Sequence, residues 1–349
     1  MPVQQLSTFE LPASRGYLDL ELLKHVESVQ VLGKFGAQKI QPRNKTATTI
    51  FSRVTPYNAS AVGVPQITAT SFRLTEGTPP NAHQLQYTNV YGTVSHYGYL
   101  MRWTDETAAL HELDVPEDMK KQVGDTLGEV IELVAYGQLR GGTSVIRANG
   151  STRAAINTTI TLDHLRLAMR TIKANRGKLV TKAINPGPNF GTSAIQASMP
   201  VFHHTDMTAD IQRLAGYVSI VNYGTAIKPI HENEHGYCQG FRFIESPVLG
   251  PFLAQGATVG GTGMVAADST NVDVYPLIVM AEDAWGHISL KGEKNAYTGI
   301  DPTVIPPNQK SKSDPLGQNG FVGAGAWYGC IRTNENWMIR IEACASALT

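Results

Sequence analysis

The sequence predicts an α+β fold in which the helices are segregated and the strands are mostly antiparallel. Two observations carry this prediction: one long amphipathic helix between Asp114 and Gly142, and strand-like segments on both sides of it, rich in β-branched and aromatic residues and separated by Gly/Pro turns. No internal repeat is visible in the sequence.

The long helix follows from the spacing of its apolar residues. Six of them recur at steps of three and four and share one face: Met119, Val123, Leu127, Val130, Ile131 and Val134. At about 1.5 Å per residue, the segment would be roughly 35–40 Å long. A helix of this length with one apolar face is expected to lie across a sheet as its spine.

Both ends of this helix carry sequence signals. Asp114 and Glu117 have the spacing of a capping box, and Gly141-Gly142 predict a left-handed stop. Glycine weakens a helix interior, so its presence indicates that another element approaches the backbone closely. Three glycines are interpreted in this way: Gly124, Gly128 and Gly137.

The residues before the helix predict an arm and a ribbon. Residues 1 to about 45 contain one short helical candidate, Tyr17 to Val31, and are interpreted as an arm on neighbouring structure. From Lys45 to Trp103 the pattern is strand-like, with a Gly/Pro-rich tip from Thr75 to His83 and regular alternation from Leu85 to Thr93. An isolated ribbon of this length is only marginally stable, so it should find a partner elsewhere in an assembly.

The residues after the helix predict further strands and two helices. A strand near Ile156–Ile160 precedes a helix with a cap at Thr161 or Asp163 and these apolar positions: Leu165, Leu167, Ala168, Met169 and Ile172. A buried strand at Pro200–Phe202 feeds a helix from about Met207 to Leu214. Later strands are predicted within residues 240–247, 275–290 and 327–346, with loops at Gly250–Asn271 and Lys291–Gly320.

Composition bounds the class of protein. The 349 residues are 42% hydrophobic and 17% charged, which is an ordinary globular balance. Lys plus Arg equals Asp plus Glu at 29 each, so the chain lacks a dedicated nucleic-acid or membrane patch, and its low self-repulsion suits self-association. Neither a leader-like N-terminus nor a run of about 20 apolar residues is visible, which predicts an intracellular protein.

Three further features could indicate metal, nucleotide or nucleic-acid binding, but each is better explained by a structural role. The cysteines Cys238, Cys330 and Cys344 are too scattered for a disulfide framework or a metal site and are expected to be reduced core thiols. The Gly-rich pieces Gly256–Gly263 and Gly323–Gly329 lack the context of a phosphate loop and are expected to be loops or tightly packed strands. The aromatic series could stack on nucleic-acid bases, but sheet packing is favoured: Tyr87, Tyr91, Tyr97, Tyr99 and Trp103.

Two histidine motifs are the candidates for catalysis. His231, Glu232 and His235 match H-E-x-x-H, in which a helix presents two zinc ligands and a general base. Pro229 and Gly236 flank the motif and disfavour that helix, so a polar surface loop is the preferred interpretation. His203 and His204 are adjacent on a strand and point to opposite faces, so structural or capping roles are expected, with Thr205 or Asp206 as the helix cap.

Several motifs in order resemble the major capsid proteins of tailed bacteriophages. They are F-R-L-T-E-G-T-P-P (residues 72–80), Y-G-Y-L-M-R-W-T-D (97–105), V-F-H-H-T-D-M-T-A-D-I (201–211), E-H-G-Y-C-Q-G-F-R-F-I-E-S-P (234–247), S-D-P-L-G-Q-N-G (313–320) and W-M-I-R-I-E-A-C-A-S (337–346). The set is most similar to the family typified by the coat protein of coliphage N4, which has the Hong Kong 97 fold.

The resemblance implies a domain organisation. Residues 1–59 would form the N-terminal arm and first peripheral strands, 60–95 the extended loop, and 96–151 the peripheral domain with the spine helix at 114–142. Residues 152–320 would form the axial domain, and 321–349 would return to the peripheral domain. The loop tip would contact a neighbouring subunit through six residues: Thr75, Glu76, Gly77, Thr78, Pro79 and Pro80.

The resemblance also implies a structural role. Hexamers and pentamers would close an icosahedral head around double-stranded DNA, contacting the DNA weakly, in a virion assembled in the bacterial cytoplasm. Scaffolding, portal or decoration proteins would be partners, and no membrane, cofactor, metal or catalytic residue would be involved. Covalently linked relatives use a Lys–Asn pair, and the absence of Lys between Lys45 and Lys120 argues against such linkage here.

Three alternatives stay open at this stage. An encapsulin-like cellular shell would share the fold but enclose protein cargo. A minor virion or decoration protein would occur in few copies per particle. A zinc hydrolase would use His231, Glu232 and His235.

Overall fold

The computed structural model describes residues 30–54, 69–77, 82, 84–110, 115–185, 191–223, 229–260, 263–290, 300–310 and 314–348. Most of the predicted Tyr17–Val31 helix and the predicted cap at Asp114 lie outside these ranges. The described strands, in chain order, are β1 (Ala37–Gln41), β2 (Thr48–Val54), β3 (Tyr87–Thr93), β4 (Ser95–Thr104), β5 (Val145–Arg147), β6 (Val180–Asn185), β7 (Gly191–His203), β8 (Val218–Ser219), β9 (Glu234–Cys238), β10 (Phe241–Glu245), β11 (Tyr275–Met280), β12 (Trp285–Leu290), β13 (Ile300–Ile305), β14 (Asn319–Arg332) and β15 (Met338–Ala343). The α-helices are α1 (Asp105–Leu110), α2 (Val115–Arg140), α3 (Leu162–Ala174) and α4 (Thr208–Gln212).

Helix α2 is the long helix that the apolar spacing predicts. Most of the predicted face is buried, namely Met119, Val123, Leu127 and Ile131, whereas Val130 and Val134 lie at its partly exposed edge. Gly124 and Gly128 are buried on the same side, in agreement with a close approach. Gly137 is exposed and a Cβ there would meet no atom within 4 Å, so the expectation for that glycine is wrong.

The helix stops after Arg140, but not by the predicted left-handed turn. Neither Gly141 nor Gly142 has a positive φ. Instead, Arg332 donates to the carbonyl of Gln138, and Arg340 donates to the carbonyls of Arg140 and Gly142. Two guanidinium groups therefore satisfy the terminal carbonyls and complement the negative end of the helix dipole.

A five-stranded sheet packs against α2. Its order is β1-β12-β14-β13, with β4 also paired to β14 over ten residues from Ser95 to Thr104. Glycines in β14 permit tight packing, since a Cβ on Gly323 would lie 2.9 Å from the Tyr99 carbonyl oxygen and one on Gly329 would lie 2.3 Å from that of Thr93. The predicted tight strand packing at Gly323–Gly329 is confirmed.

A second, eight-stranded sheet has the order β5-β15-β11-β7-β10-β9-β8, with β6 paired to β7. Helix α3 lies against it, capped at Thr161 by a reciprocal pair of hydrogen bonds with His164, and buries Leu165, Ala168 and Ile172. Of the twelve described strand pairs, only β1–β12, β7–β10 and β5–β15 are parallel. The prediction of mostly antiparallel strands is confirmed.

The main apolar core surrounds the buried face of α2. It combines Leu127 and Ile131 of the helix with Phe202 and Ile278 of the larger sheet and Val322 of the smaller one. Both sheets therefore bury apolar side chains in one core with the helix, as the spine interpretation predicts.

Four local predictions are corrected. Residues 69–72 form a 3-10 turn rather than a strand, and residues 156–160 are irregular although their backbone bonds to other loops. Strand β13 lies inside the predicted Lys291–Gly320 loop. The turn after β7 is capped by His204, whose Nδ1 accepts from the Asp206 N–H at 3.2 Å, and not by Thr205 or Asp206. All three cysteines are buried free thiols, as predicted.

Candidate assembly surfaces and buried polar clusters

The ribbon formed by β2 and β3 exposes an apolar face. The two strands pair antiparallel over their full described length, so Ile50 lies opposite Tyr91 and Val54 lies opposite Tyr87. These four side chains share one face because successive residues of a strand alternate in direction. Between 43% and 62% of each is exposed. We call Ile50, Val54, Tyr87 and Tyr91 the ribbon face.

The opposite side of the ribbon rests on the smaller sheet. A Cβ on Gly92 would lie 2.6 Å from Cδ1 of Ile288, and one on Gly286 would lie 2.9 Å from the Phe51 ring. Lys39 places its ammonium group 4.9 Å from the centre of that ring. One side of the ribbon is therefore anchored within the subunit, and the ribbon face is left without an intramolecular partner among the described residues.

The predicted tip is only partly described. Thr75, Glu76 and Gly77 are exposed, and Gly77 has φ of 77°, which favours glycine. Thr78, Pro79 and Pro80 lie outside the described residues. Phe72 and Leu74 just before the tip are 49% and 71% exposed, so partly exposed apolar side chains continue beyond the ribbon face.

A buried carboxyl group connects α2 to the described part of the predicted arm. Glu132, 1% exposed, accepts from the backbone N–H groups of Val31 and Leu32, at 3.3 and 3.0 Å. Burial raises the pKa of Glu132 to about 8, against the opposing effect of these hydrogen bonds. This contact joins residues about 100 positions apart and fixes the start of the described chain on the spine helix.

The sequence interpretation did not identify Glu132 or the apolar residues of β2. Glu132 follows Gly124 and Gly128 at four-residue steps and therefore shares their face of the helix. A single carboxylate on the predicted buried face was the signal that could have identified it. Ile50 and Val54 alternate with Phe51 and Arg53, but alternation alone does not say which face is covered.

The H-E-N-E-H motif forms neither the helical zinc site nor the polar surface loop that was preferred, because His231 and Glu234 are buried and the motif runs into β9. His231 lies in a turn and His235 in β9, so the helical spacing of the two imidazoles is absent. Glu234 is buried instead in a polar cluster, where it contacts Arg242 at 3.3 Å and accepts from the Tyr223 hydroxyl at 2.7 Å. No group of three or more His, Cys, Asp or Glu side chains suited to a metal occurs within the described ranges.

His235 instead pairs with His203 across the middle strand β10. Their Nε2 atoms are 2.8 Å apart, and His203 Nδ1 lies 2.8 Å from the His204 carbonyl oxygen. Because that carbonyl only accepts, His203 carries its proton on Nδ1 and accepts at Nε2 from His235. With His235 protonated on Nε2, its Nδ1 and its carbonyl oxygen are both acceptors for the single proton of the Tyr217 hydroxyl, which lies 2.8 and 2.7 Å from them.

The surroundings of His203 and His235 disfavour protonation of both imidazole rings. Burial, together with repulsion from His235, lowers the pKa of His203 to about 3. Burial also lowers the pKa of His235, although the nearby Glu245 carboxylate opposes this shift. His203 and His204 do point to different surroundings, as predicted, because His204 contacts Asp206 and the Tyr275 ring.

The aromatic series divides between core and surface. Trp103 is buried and Tyr97 packs against the main core, as sheet packing predicts. Tyr87 and Tyr91 are about 60% exposed and belong to the ribbon face, while Tyr99 is 38% exposed. None of the described helices combines the length and apolar content needed to cross a membrane.

Comparison with solved structures identifies the fold. Over 96% of this chain and 95% of the other, the structure matches a chain of the capsid of Ralstonia phage GP4 with a TM-score of 0.58 at 12% identity. The cyanophage Pam1 capsid matches with the same coverage and TM-score at 11% identity. The head of Helicobacter pylori bacteriophage KHP40 matches with a TM-score of 0.56 at 10% identity, covering 89% of this chain and 87% of the other.

The chain therefore has the fold of phage capsid chains, and the predicted Hong Kong 97-type α+β fold is confirmed. No protein-family model matches the sequence. No curated protein matches it either.

Proposed function

We propose that this chain is the major capsid protein of a tailed double-stranded DNA bacteriophage. Hexamers and pentamers of the chain would close an icosahedral head around the genome. The observation that carries the proposal is the match of fold to phage capsid chains over nearly the full length of both partners. A structural protein of this kind binds copies of itself and performs no catalytic turnover.

The ribbon face supports self-association. Ile50, Val54, Tyr87 and Tyr91 form an uncovered apolar and aromatic strip on an element that is anchored along its other side. Burying one such side chain contributes about 1.5–3 kcal/mol, so repeated contacts of this strip would hold a shell together. Tyr is also a residue that interfaces favour.

The finer assignments belong to the same proposal. The quoted motifs favour the N4-like coat proteins among tailed-phage capsid proteins. The subunit would divide into an arm and first strands (1–59), an extended loop (60–95), a peripheral domain (96–151 and 321–349) and an axial domain (152–320). Scaffolding, portal or decoration proteins would complete a virion assembled in the bacterial cytoplasm, with weak contacts to packaged DNA.

The decisive experiment is negative-stain electron microscopy of the purified, unfixed protein at high concentration. Closed shells, tubes or six-membered rings are expected. Uniform small particles, both alone and with a co-expressed scaffold, would contradict the proposal. An encapsulin-like shell is distinguished by its contents, because it would enclose protein rather than a genome.

The tip residues Thr75, Glu76, Gly77, Thr78, Pro79 and Pro80 are proposed to contact a neighbouring subunit. Glu76→Lys should therefore reduce shell formation while the subunit's Tm changes by no more than about 2 °C, since exposed substitutions usually alter stability by under about 0.5 kcal/mol. Glu129→Lys, on an exposed position of α2, is the matched charge reversal. If both variants assemble normally, or if Glu76→Lys unfolds the subunit, the tip does not have this role.

The zinc-hydrolase alternative has its own test. Glu232→Gln removes the residue to which the H-E-x-x-H pattern assigns the role of general base. We expect unchanged shells and no zinc in the purified protein by elemental analysis. Stoichiometric zinc together with hydrolytic activity that Glu232→Gln abolishes would favour the hydrolase.

A further inference from the structure

A cluster of four arginines surrounds one buried carboxylate at the end of α2. Glu342 on β15 is fully buried, and its Oε1 lies 2.6 Å from Nη2 of Arg153 and 2.9 Å from Nε of Arg340. Its Oε2 lies 3.6 Å from Nε of Arg147. Arg140 joins the cluster through Phe252, because the guanidinium carbons of Arg140 and Arg153 lie 3.8 and 3.5 Å from the centre of that ring.

The cluster holds an excess of positive charge. In the described part of the chain, Glu342 is the only carboxylate within ion-pair distance of these four arginines. Mutual repulsion is felt inside the cluster, where Arg153 and Arg147 add to burial in lowering the pKa of Arg340. Three guanidinium groups on Glu342 and a fourth on Phe252 leave a net charge of about +3, which a polyvalent anion would neutralise.

The arginines of the cluster differ in how many hydrogen bonds their guanidinium groups donate to the protein. Arg340 donates to Glu342 and to the terminal carbonyls of α2, and Arg153 donates to Glu342 and to Gln255. Nε of Arg147 makes no hydrogen bond with described residues, and 32% of the side chain is exposed. Because this Nε is itself buried beside Glu342, the terminal amino groups of Arg147 are the donors that a ligand can reach. Arg153, 27% exposed, contacts the other oxygen of Glu342.

The cluster is reachable from solvent. A cavity of about 420 Å³ opens between the end of α2 and the loop from Val248 to Phe252, and Arg140 is the charged residue in its wall. The remaining wall is mainly apolar, including Leu133, Tyr136 and Phe252. A ligand can thus approach the side of the cluster on which Arg140 lies.

We propose that Arg147 and Arg153, which contact the two oxygens of Glu342, form a phosphate-binding site to which Arg140, on the far side of the cluster at Phe252, adds positive charge. The planar guanidinium fork matches phosphate oxygens, and a phosphate group can accept from several arginines at once. A phosphate dianion offsets more of the excess positive charge than a monoanionic carboxylate ligand does, and it offers more acceptor oxygens. The phosphate can come from the backbone of DNA or from a free phosphate ion; only the DNA source rests on the proposed capsid function.

Two titrations on the purified full-length protein test the site. Isothermal titration calorimetry with inorganic phosphate, at constant ionic strength, measures the free ion. Fluorescence anisotropy with a labelled 20-base-pair duplex, repeated over a range of salt concentrations, measures the DNA backbone. Arg147→Gln should weaken binding about tenfold, and for DNA it should reduce the salt slope by about 1.

Arg166→Gln is the matched control, because it removes one charge from an exposed arginine on α3, outside the cluster. It should leave phosphate affinity unchanged. Arg147→Lys is the second variant in case Arg147→Gln does not fold: it keeps the charge beside Glu342 but loses the fork, so phosphate binding should weaken while the DNA salt slope stays the same.

The outcomes separate the ligand sources and the two proposals. Binding of either probe that depends on Arg147 supports the site and identifies its source. No binding, or equal weakening in Arg147→Gln and Arg166→Gln, overturns it. Defective shells with unchanged phosphate and DNA binding would make the cluster a protein contact and also overturn it. Normal wild-type shells that bind neither probe would refute this site and leave the capsid proposal intact.

Discussion

At the scale of single residues, Glu132 shows how a buried group links stability to pH. Its carboxyl has a pKa of about 8 in the folded chain and an ordinary value of 4.5. A raised folded-state pKa means that the folded chain holds the proton more strongly than the unfolded chain does. The stabilisation is complete below pH 4.5 and is lost as the pH rises through about 8, by up to about 1.4 kcal/mol per pH unit.

Glu132→Gln should therefore flatten this part of the pH profile. Urea unfolding at pH 5, 6, 7 and 8 would measure the free energy of unfolding of both proteins. We expect the wild type to lose stability relative to Glu132→Gln as the pH rises. Parallel profiles would contradict the assignment. Glu132→Ala should be less stable than Glu132→Gln, because it leaves two buried N–H groups without an acceptor, at about 1–3 kcal/mol each.

The histidine pair predicts the opposite dependence. The pKa of His203 falls from 6.5 to about 3 on folding, so the unfolded chain binds the proton first. The contribution of neutral His203 to the free energy of unfolding is complete above pH 6.5 and is lost as the pH falls towards 3. Glu245, which opposes the shift at His235, limits the loss.

His203→Gln should lower the Tm at pH 7.5 but reduce the further fall between pH 7.5 and 5. The physical reason is that glutamine cannot be protonated in this range, while the unfolded chain no longer gains a proton at this position. Calorimetry at both pH values gives the comparison. His96→Gln, at an exposed position stacked on Trp327, is the control and should retain the wild-type fall. An unchanged fall in His203→Gln would refute the assignment.

At the scale of elements, the ribbon has two faces with different consequences. Tyr87→Ser and Tyr91→Ser remove the largest side chains of the ribbon face, each of which is about 60% exposed in the subunit. Together they should raise the protein concentration needed for assembly at least about tenfold, since each buried aromatic contributes more than the 1.4 kcal/mol that corresponds to a factor of ten. Light scattering against concentration measures this threshold.

The matched control lies on the other face of the same strand. Val90 lies next to Tyr91 in sequence, but its side chain is on the opposite face of the strand, towards the body of the subunit, and is half-buried. Val90→Ser should lower the subunit's Tm, whereas the two tyrosine variants should change it by no more than about 2 °C. If the tyrosine variants destabilise the subunit as Val90→Ser does, the ribbon face is not an assembly surface.

The elements that were predictable from sequence are those with a strong local period. Helix α2 has an apolar stripe over 26 residues, and its bounds agree with the prediction within two residues at each end. Strand β13 was missed because Pro302 reads as a loop residue. Pro is tolerated there because β13 is the last strand in the sheet order, where one side of the strand needs no donor.

The polar clusters were not predictable because their partners are distant in sequence. His203 and His235 are 32 residues apart and meet only because β10 lies between β7 and β9. The local H-E-N-E-H spacing therefore indicated the wrong partner for His235. Glu342 and Arg153 are separated by 189 residues, so the arginine cluster too depends on how the larger sheet is assembled.

At the scale of the whole molecule, the charge balance and the ribbon face together set how assembly should respond to salt. The net charge is zero, so long-range repulsion between copies is weak, and sodium chloride has little repulsion to screen. An apolar contact is instead strengthened by sulfate, which is excluded from protein surfaces. Ammonium sulfate should therefore lower the concentration at which shells form, while sodium chloride at equal ionic strength should change it less than about twofold.

The ribbon variants make this last prediction specific. In Tyr87→Ser/Tyr91→Ser, the effect of sulfate should be smaller than in the wild type, because less apolar surface is buried per contact. Light scattering with electron microscopy of the same samples separates shells from amorphous aggregates. Shells that dissociate in moderate sodium chloride would instead indicate contacts dominated by ion pairs, and the ribbon face would then not be the main source of assembly free energy.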